Sequence, residues 1–252
     1  MPKPITFYDI ASGPPIRPYA PNPCKTRYAL NFKRVHSGLD YETCWTELTE
    51  VTEVRRGLGA APCRKHYLDS TDFYTLPVVV DHTASQVVGD SFEIALYLDK
   101  AYPSSPQLFP DSAAAPHRDF NAVVDRVFTK YVVLGYHNLP FNPKTAARTR
   151  AEFCRRAARQ DWDEFAVHGL ERAEMLKQFE KALGELAEWY VEKGSGPLIS
   201  GATTPTYADF IVGGWLWMMK ETLPEWSMVR TWQDGRWGRL HDTLSQTYGQ
   251  AD

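Results

Sequence analysis

The period of the apolar positions changes along the chain, and the changes divide it. Ile5-Thr6-Phe7-Tyr8-Asp9 predicts a short strand, followed up to Pro21 by a loop rich in Gly and Pro that holds Ser12-Gly13-Pro14-Pro15. From Asn22, the residues Cys24, Tyr28, Phe32 and Val35 recur close to the helical period and predict a helix with one apolar face. Its other positions include Lys25, Arg27, Asn31 and Lys33. Pro21 and Pro23 suit its first turn, where amide hydrogens have no intrahelical acceptor, and Gly38 suits its end. Tyr41–Glu47 reads as strand, Leu48–Arg55 as a weak helix, and 60–75 as an irregular polar loop with Arg64, Lys65, His66 and Asp72. Leu76–Asp81 and Gln86–Gly89 read as two strands able to pair as a hairpin across the turn at His82–Ser85. Asp90-Ser91 then precedes Phe92, Ile94, Ala95, Leu98 and Tyr102, a further helix with one apolar side. The order strand, helix, strand, helix, strand, strand, helix describes an α/β domain of about 100 residues.

Prolines between Tyr102 and Asp111 mark a linker, and beyond it the pattern is helical throughout. Phe120, Val123, Val124, Val127, Phe128 and Tyr131 repeat at three- and four-residue intervals until Pro140 and Pro143 close the run. The arginines of 144–160 read as a solvated helix face. Glu171–Tyr190 continues helically with Leu176, Phe179, Leu183, Leu186 and Tyr190 inward, and Gly194-Ser195-Gly196-Pro197 turns the chain. Thr206-Tyr207-Ala208-Asp209 has the spacing of a capping box. The helix it opens carries Phe210, Ile211, Val212, Leu216, Trp217, Met218 and Met219 and reads as the central core helix, with Gly213 and Gly214 permitting close backbone approach. The fold class is therefore α/β followed by all-α, in two domains.

Composition narrows the function classes. Across 252 residues, 43% are hydrophobic and 23% charged, which excludes fibrous and disordered chains. A net charge of -3 gives no general attraction to nucleic acid or anionic membrane. The longest apolar runs, Leu76–Val80 and Phe210–Met219, fall short of the roughly 20 residues a membrane helix needs. The proline-rich start holds no signal-peptide core, and Cys24, Cys44, Cys63 and Cys154 are too widely spaced for a disulfide scaffold or a metal site. The expected location is cytoplasmic, with no metal.

Candidate chemistry gathers in the amino-terminal half. At Tyr19–Lys25 a loop meets a helix start, where free amides and the helix dipole favour an anion such as a thiolate. Cys24 there reads either as a pocket-lining core residue or as a nucleophile. A cis Leu76–Pro77 bond would expose the Val78 backbone to an extended ligand, and Asp90-Ser91 is either a simple cap or a carboxylate holder. His66, beside Arg64 and Lys65, reads either as a ligand contact or as solvent-exposed. Tyr131, Tyr136, His137, Trp215, Trp217 and Trp226 are either core or the lining of an aromatic pocket.

Taken together these motifs resemble those of a cytosolic glutathione transferase. Leu76-Pro77-Val78 followed by Asp90-Ser91 is similar to the family's cis-proline strand and γ-glutamyl clamp, and Thr206–Asp209 to its C-terminal capping box. The opening, from Ile5–Asp9 through the Pro-rich loop to Pro21-Asn22 and Lys25–Lys33, resembles the fungal etherase-related FuA class. The resemblance implies a thioredoxin-like glutathione-binding domain over 1–103 and an all-helical domain over 112–252 that forms much of the hydrophobic substrate site. It further implies glutathione as co-substrate, a role in detoxification, and a homodimer. It assigns Val78 to the cysteinyl backbone of glutathione, Asp90 and Ser91 to its γ-glutamyl end, and Lys65 or His66 to the glycyl carboxylate. Serine-type relatives carry a hydroxyl at the position of Ala20 and often tryptophan at that of Cys24. Three functions stay open. In the first, Asn22 with the amides of Cys24 and Lys25 holds a glutathione thiolate that attacks an aromatic electrophile or an aryl ether. In the second, the chain is a weakly catalytic ligandin for phenolic compounds. In the third, Cys24 carries out thiol exchange with glutathione mixed disulfides.

Overall fold

The computed structural model describes residues 3–66, 69–110, 114–190 and 196–251; Asp111 of the expected linker and Gly194-Ser195 of the expected turn lie outside them. β1 (Ile5–Ile10) and β2 (Tyr41–Thr46) run parallel, because α1 (Pro21–Ser37) carries the chain back between them. α2 (Val51–Gly57) follows, starting three residues later than its apolar pattern predicts. β5 (Val78–Asp81) lies antiparallel to β1 and β6 (Gln86–Gly89) antiparallel to β5, giving the order β2-β1-β5-β6 with the expected hairpin at its edge. Within the segment expected to be an irregular loop, β3 (Arg64–Lys65) and β4 (Asp72–Phe73) form a separate small ladder. α3 (Ser91–Ala101) completes the sheet-bearing half.

The second half is helical: α4 (Ala114–Tyr131), α5 (Ala146–Arg156), α6 (Gly169–Ala187), α7 (Tyr207–Thr222), α8 (Trp226–Val229) and α9 (Trp232–Tyr248). α7 is its centre, buried at nearly every position. Asp209 caps it, accepting from the Thr206 amide at 2.8 Å and also from the Ile199 amide at 2.8 Å, which ties the preceding loop to the helix start. One hydrophobic cluster runs through both halves. Tyr28 of α1 stacks on Phe210 with ring centroids 5.6 Å apart and tilts against Trp217 at 5.1 Å.

α1 departs from its predicted amphipathic form. Pro23 through Lys33 are all buried, polar positions included, because α1 is packed by α3, α7 and α9 in addition to the sheet. Each buried cation has an acid: Lys25 Nζ reaches Asp125 at 2.7 Å, Arg27 reaches Asp9 at 2.9 Å, and Lys33 reaches Asp99 at 2.7 Å. Asn31 donates to the Tyr248 carbonyl at 2.7 Å. The apolar row ends differently too. Val35 is 54% exposed, and the row continues from Phe32 to His36, whose ring lies 4.5 Å from that of Phe32. Gly38 closes α1 with φ +72°, a conformation that favours glycine.

Candidate functional site

A cleft of about 310 Å³ lies between the two halves. Tyr19 through Pro23, the entry into α1, form one edge; Ile10, Leu48, Phe73, Thr75 and Leu76 continue it, and the helical half supplies Val132, Tyr136, Phe153, Arg156, Trp215 and Met218. The lining is mostly apolar and aromatic, with few polar groups, which is the character of a small-molecule site. Burial pushes the Tyr136 hydroxyl up to about 12, so it stays protonated near neutral pH. Tyr19 is raised further, first by burial and then by the charges of Asp9 and Glu47.

The start of α1 offers little backbone to an anion. Pro21 and Pro23 have no amide hydrogen, and the Cys24 amide already donates to the Ala20 carbonyl at 3.0 Å. The expected contribution of the Cys24 amide is thus withdrawn, and Lys25 follows one residue deeper in the helix. Asn22 remains. It lines the cleft half-buried, and its side-chain amide has no hydrogen-bond partner among the described residues. Ala20, which lines the same edge, brings no hydroxyl.

Cys24 faces the other way. Its side chain is wholly buried, and its thiol is pushed well above its ordinary value, chiefly by burial and then by the charge of Asp9, against the opposing pull of Arg27. Such a thiol is inert to a ligand in the cleft. The Lys25 side chain is equally buried and serves Asp125 and Asn121, at 2.7 and 3.0 Å. Asp125 also accepts from the Trp215 indole at 2.7 Å, so Lys25 holds a cleft wall in place from behind.

The Leu76–Pro77 bond is cis. Val78, however, lies in register with Tyr8 on one side and Gly89 on the other, and is fully buried, so neither edge of its backbone is open. The open position is Leu76. It lies at the cleft outside every ladder, and its amide has no partner among the described residues; its carbonyl accepts only from the Thr75 hydroxyl, at 3.3 Å. Asp90 and Ser91 adjoin it, since the Asp90 amide donates to the Pro77 carbonyl at 3.3 Å. Asp90 takes φ +74°, a strained value for a residue with a Cβ, while its carboxylate caps α3 by accepting from the Phe92 amide at 2.9 Å. The expected carboxylate contacts are engaged elsewhere. Lys65 is exposed but paired with Asp72 at 2.6 Å, and His66, buried rather than solvent-facing, sits 3.0 Å from the Arg156 carbonyl.

Arg156 also departs from the solvated face expected of 144–160. Its side chain is mostly covered between Glu152, at 2.7 Å, and the Tyr74 carbonyl, to which it donates at 3.0 Å, and it bridges the two halves at the cleft. A single arginine aimed inward among several aimed outward leaves no periodic signal in the sequence. The sequence marks the Leu76–Pro77 bond but not Leu76 as its open position, because a free backbone amide has no residue-type signature.

Comparison with known proteins agrees with this geometry. The family model of the glutathione S-transferase C-terminal domain matches residues 117–248, just over half of the chain. Among solved structures, the chain is similar to a glutathione S-transferase of Ceriporiopsis subvermispora, CsGST63524, determined in complex with glutathione. The identity is 29%, the TM-score is 0.85, and 98% of each chain is covered. It is similar also to the glutathione transferase GSTFuA2 from Phanerochaete chrysosporium, at 29% identity and TM-score 0.84, covering 99% of this chain and all of that one. The glutathione S-transferase-like protein ustS of Aspergillus flavus is 29% identical over 119 residues, a stretch that takes in 44% of this chain and only 40% of the relative. The chain belongs to the glutathione S-transferase family and is FuA-like within it.

Proposed function

We propose that the chain is a glutathione transferase whose cleft holds glutathione along its amino-terminal edge and a hydrophobic, aromatic electrophile against its helical wall. The observation that carries this reading is the backbone amide of Leu76, without an acceptor among the described residues, at the same cleft as the side-chain amide of Asn22, also unpartnered among them. A buried backbone amide without an acceptor calls for a ligand with a peptide-like backbone. Leu76 therefore takes the cysteinyl backbone of glutathione, the part first expected of Val78, and Asp90 and Ser91 take the γ-glutamyl end. The thiolate is then directed toward the start of α1, where Asn22 and the helix dipole stabilise it. The solved Ceriporiopsis relative, complexed with glutathione, supports the co-substrate. A homodimer in the cytoplasm, acting in detoxification, completes the proposal.

A second reading is favoured by the apolar and aromatic lining: a phenolic compound fills the cleft and is turned over slowly. Cys24 is not proposed as a nucleophile, since its burial denies it contact with a ligand.

Titration calorimetry with glutathione, paired with an aromatic-electrophile conjugation assay, tests both readings. The transferase reading expects saturable glutathione binding and a turnover that Asn22→Ala lowers by roughly 30- to 1,000-fold, the loss of about 2 to 4 kcal/mol that removing one oxyanion donor brings. Tight binding of an aromatic compound with turnover at background transfers the assignment to the ligandin. No glutathione binding at all overturns both the co-substrate and the role of Leu76.

A further inference from the structure

Arg55 of α2 is 3% exposed and has no carboxylate partner among the described residues. Its Nη1 donates to the Thr75 carbonyl at 2.5 Å and its Nη2 to the Ala61 carbonyl at 2.6 Å, while Nε is buried with no acceptor. Neutral carbonyls satisfy hydrogen bonds but leave the buried positive charge without a counter-ion. Among the described residues, Cys63 is the ionisable group it contacts: the exposed Sγ accepts from Nη1 at 2.9 Å and its thiol donates to the same Thr75 carbonyl at 3.7 Å. Gly89 makes the arrangement fit, since a Cβ there would collide with the guanidinium. Arg55 thus joins Cys63 to Thr75 at the edge of the cleft and to the residue before Asp90.

We propose that Cys63, held by Arg55, is a site of reversible mixed-disulfide formation with glutathione disulfide. The guanidinium sits 2.9 Å from the attacking sulfur, where it can receive the negative charge of the reacting form, and the exposure of Cys63 admits the disulfide from solvent. The ionised Cys63 Sγ attacks one sulfur of glutathione disulfide; a bond forms between Sγ and that sulfur as the glutathione S–S bond breaks. The second glutathione leaves as thiolate and takes a proton from water, matching the proton that Cys63 gives up. The protein thiol is oxidised, and half of the disulfide is reduced to free glutathione. The step goes beyond the transferase reading and does not use Asn22 or the aromatic wall.

The chain contains its own comparison. Cys24 and Cys154 are buried, whereas Cys44 is exposed like Cys63. Cys44 has no guanidinium partner among the described residues, and its thiol is raised chiefly by partial burial, then by the charge of Glu42, against an opposing hydrogen bond with Thr46.

The test is to incubate the reduced full chain with glutathione disulfide at neutral pH and to follow intact mass and peptide maps with time. The expected result is one glutathionyl group on Cys63, added about tenfold faster than on Cys44 and removed by excess reduced thiol. Cys63→Ser abolishes this fast addition, and Cys44→Ser leaves it in place. Arg55→Gln slows it to the Cys44 rate. Should that variant fail to fold, Gly89→Ala shifts the guanidinium while keeping its charge and slows the addition as well. Equal rates at the two cysteines, a fast phase that survives Cys63→Ser, or no adduct at Cys63 overturns the proposal. The readout needs no transfer reaction, so its failure and that of the transferase reading are separate outcomes.

Discussion

Asn22 and Cys24 stand two positions apart on one helix, a spacing that points side chains to different faces. Asn22 consequently lines the cleft, while Cys24 enters the core against the sheet-bearing half. Their substitutions should separate accordingly. Where Asn22→Ala lowers turnover, Cys24→Ser should act on stability, since it buries a hydroxyl in place of a sulfur at a cost of about 1 to 3 kcal/mol when no partner receives it. Thermal unfolding and initial rates on the same preparation check the pair. The expected outcome for Cys24→Ser is a lower melting temperature with turnover inside about twofold of the parent. A tenfold loss of turnover with melting unchanged would return Cys24 to the chemistry.

At the scale of elements, Asp81 at the end of β5 fastens the hairpin turn to α3. It accepts from the Thr83 amide at 2.9 Å and the Ala84 amide at 3.0 Å, and from the hydroxyls of Tyr97 at 2.8 Å and Tyr102 at 2.5 Å. Burial alone would raise its pKa, but the donors from Thr83, Tyr102, Ala84 and Tyr97 together outweigh it and hold the carboxyl at about 2. A carboxyl held below its ordinary value adds stability above pH 4 and loses it as pH falls toward 2. Asp81→Asn should therefore cost about 2 to 3 kcal/mol near neutral pH, the difference from the parent shrinking below pH 4 and closing near pH 2. Urea midpoints across that range read the effect directly. The strands and the turn that Asp81 fastens are legible in the sequence because their signals are local: alternation, a turn and a helix cap. The burial of Lys25, Arg27 and Lys33 is not legible. Their acids stand 100, 18 and 66 residues away, and a paired buried lysine has the same letter as a solvated one. Val78 shows the same limit at the site. Leu76-Pro77-Val78 marks the right strand, but which residue keeps an open edge depends also on the pairing with β1, which is distant in sequence.

At the scale of the whole molecule, the cleft exists because α7 presses against the first turn of α1, and Gly214 sets how closely. A Cβ at Gly214 would come to 2.5 Å from the Pro21 carbonyl oxygen and 3.1 Å from the Lys25 amide nitrogen, both backbone atoms of α1 that cannot rotate away. Gly214→Ala must then push α7 and α1 apart. Trp215, the next residue, lines one side of the cleft, and Asn22, one residue past Pro21, lines the other, so the displacement widens the site where thiolate and electrophile are to meet. Overpacking of this kind costs about 1 to 3 kcal/mol, which is about 2 to 12 °C in melting temperature for a chain of this size. Alanine is otherwise the better helix former, so propensity alone predicts the opposite sign. The expected outcome is a lower melting temperature together with slower conjugation, while glutathione affinity, which the proposed binding mode assigns to Leu76, Asp90 and Ser91 away from the contact, changes less than turnover. Calorimetry on the variant separates the two effects. A raised melting temperature with unchanged turnover would mean that the helices yield at this contact, and that the cleft does not depend on how closely they approach.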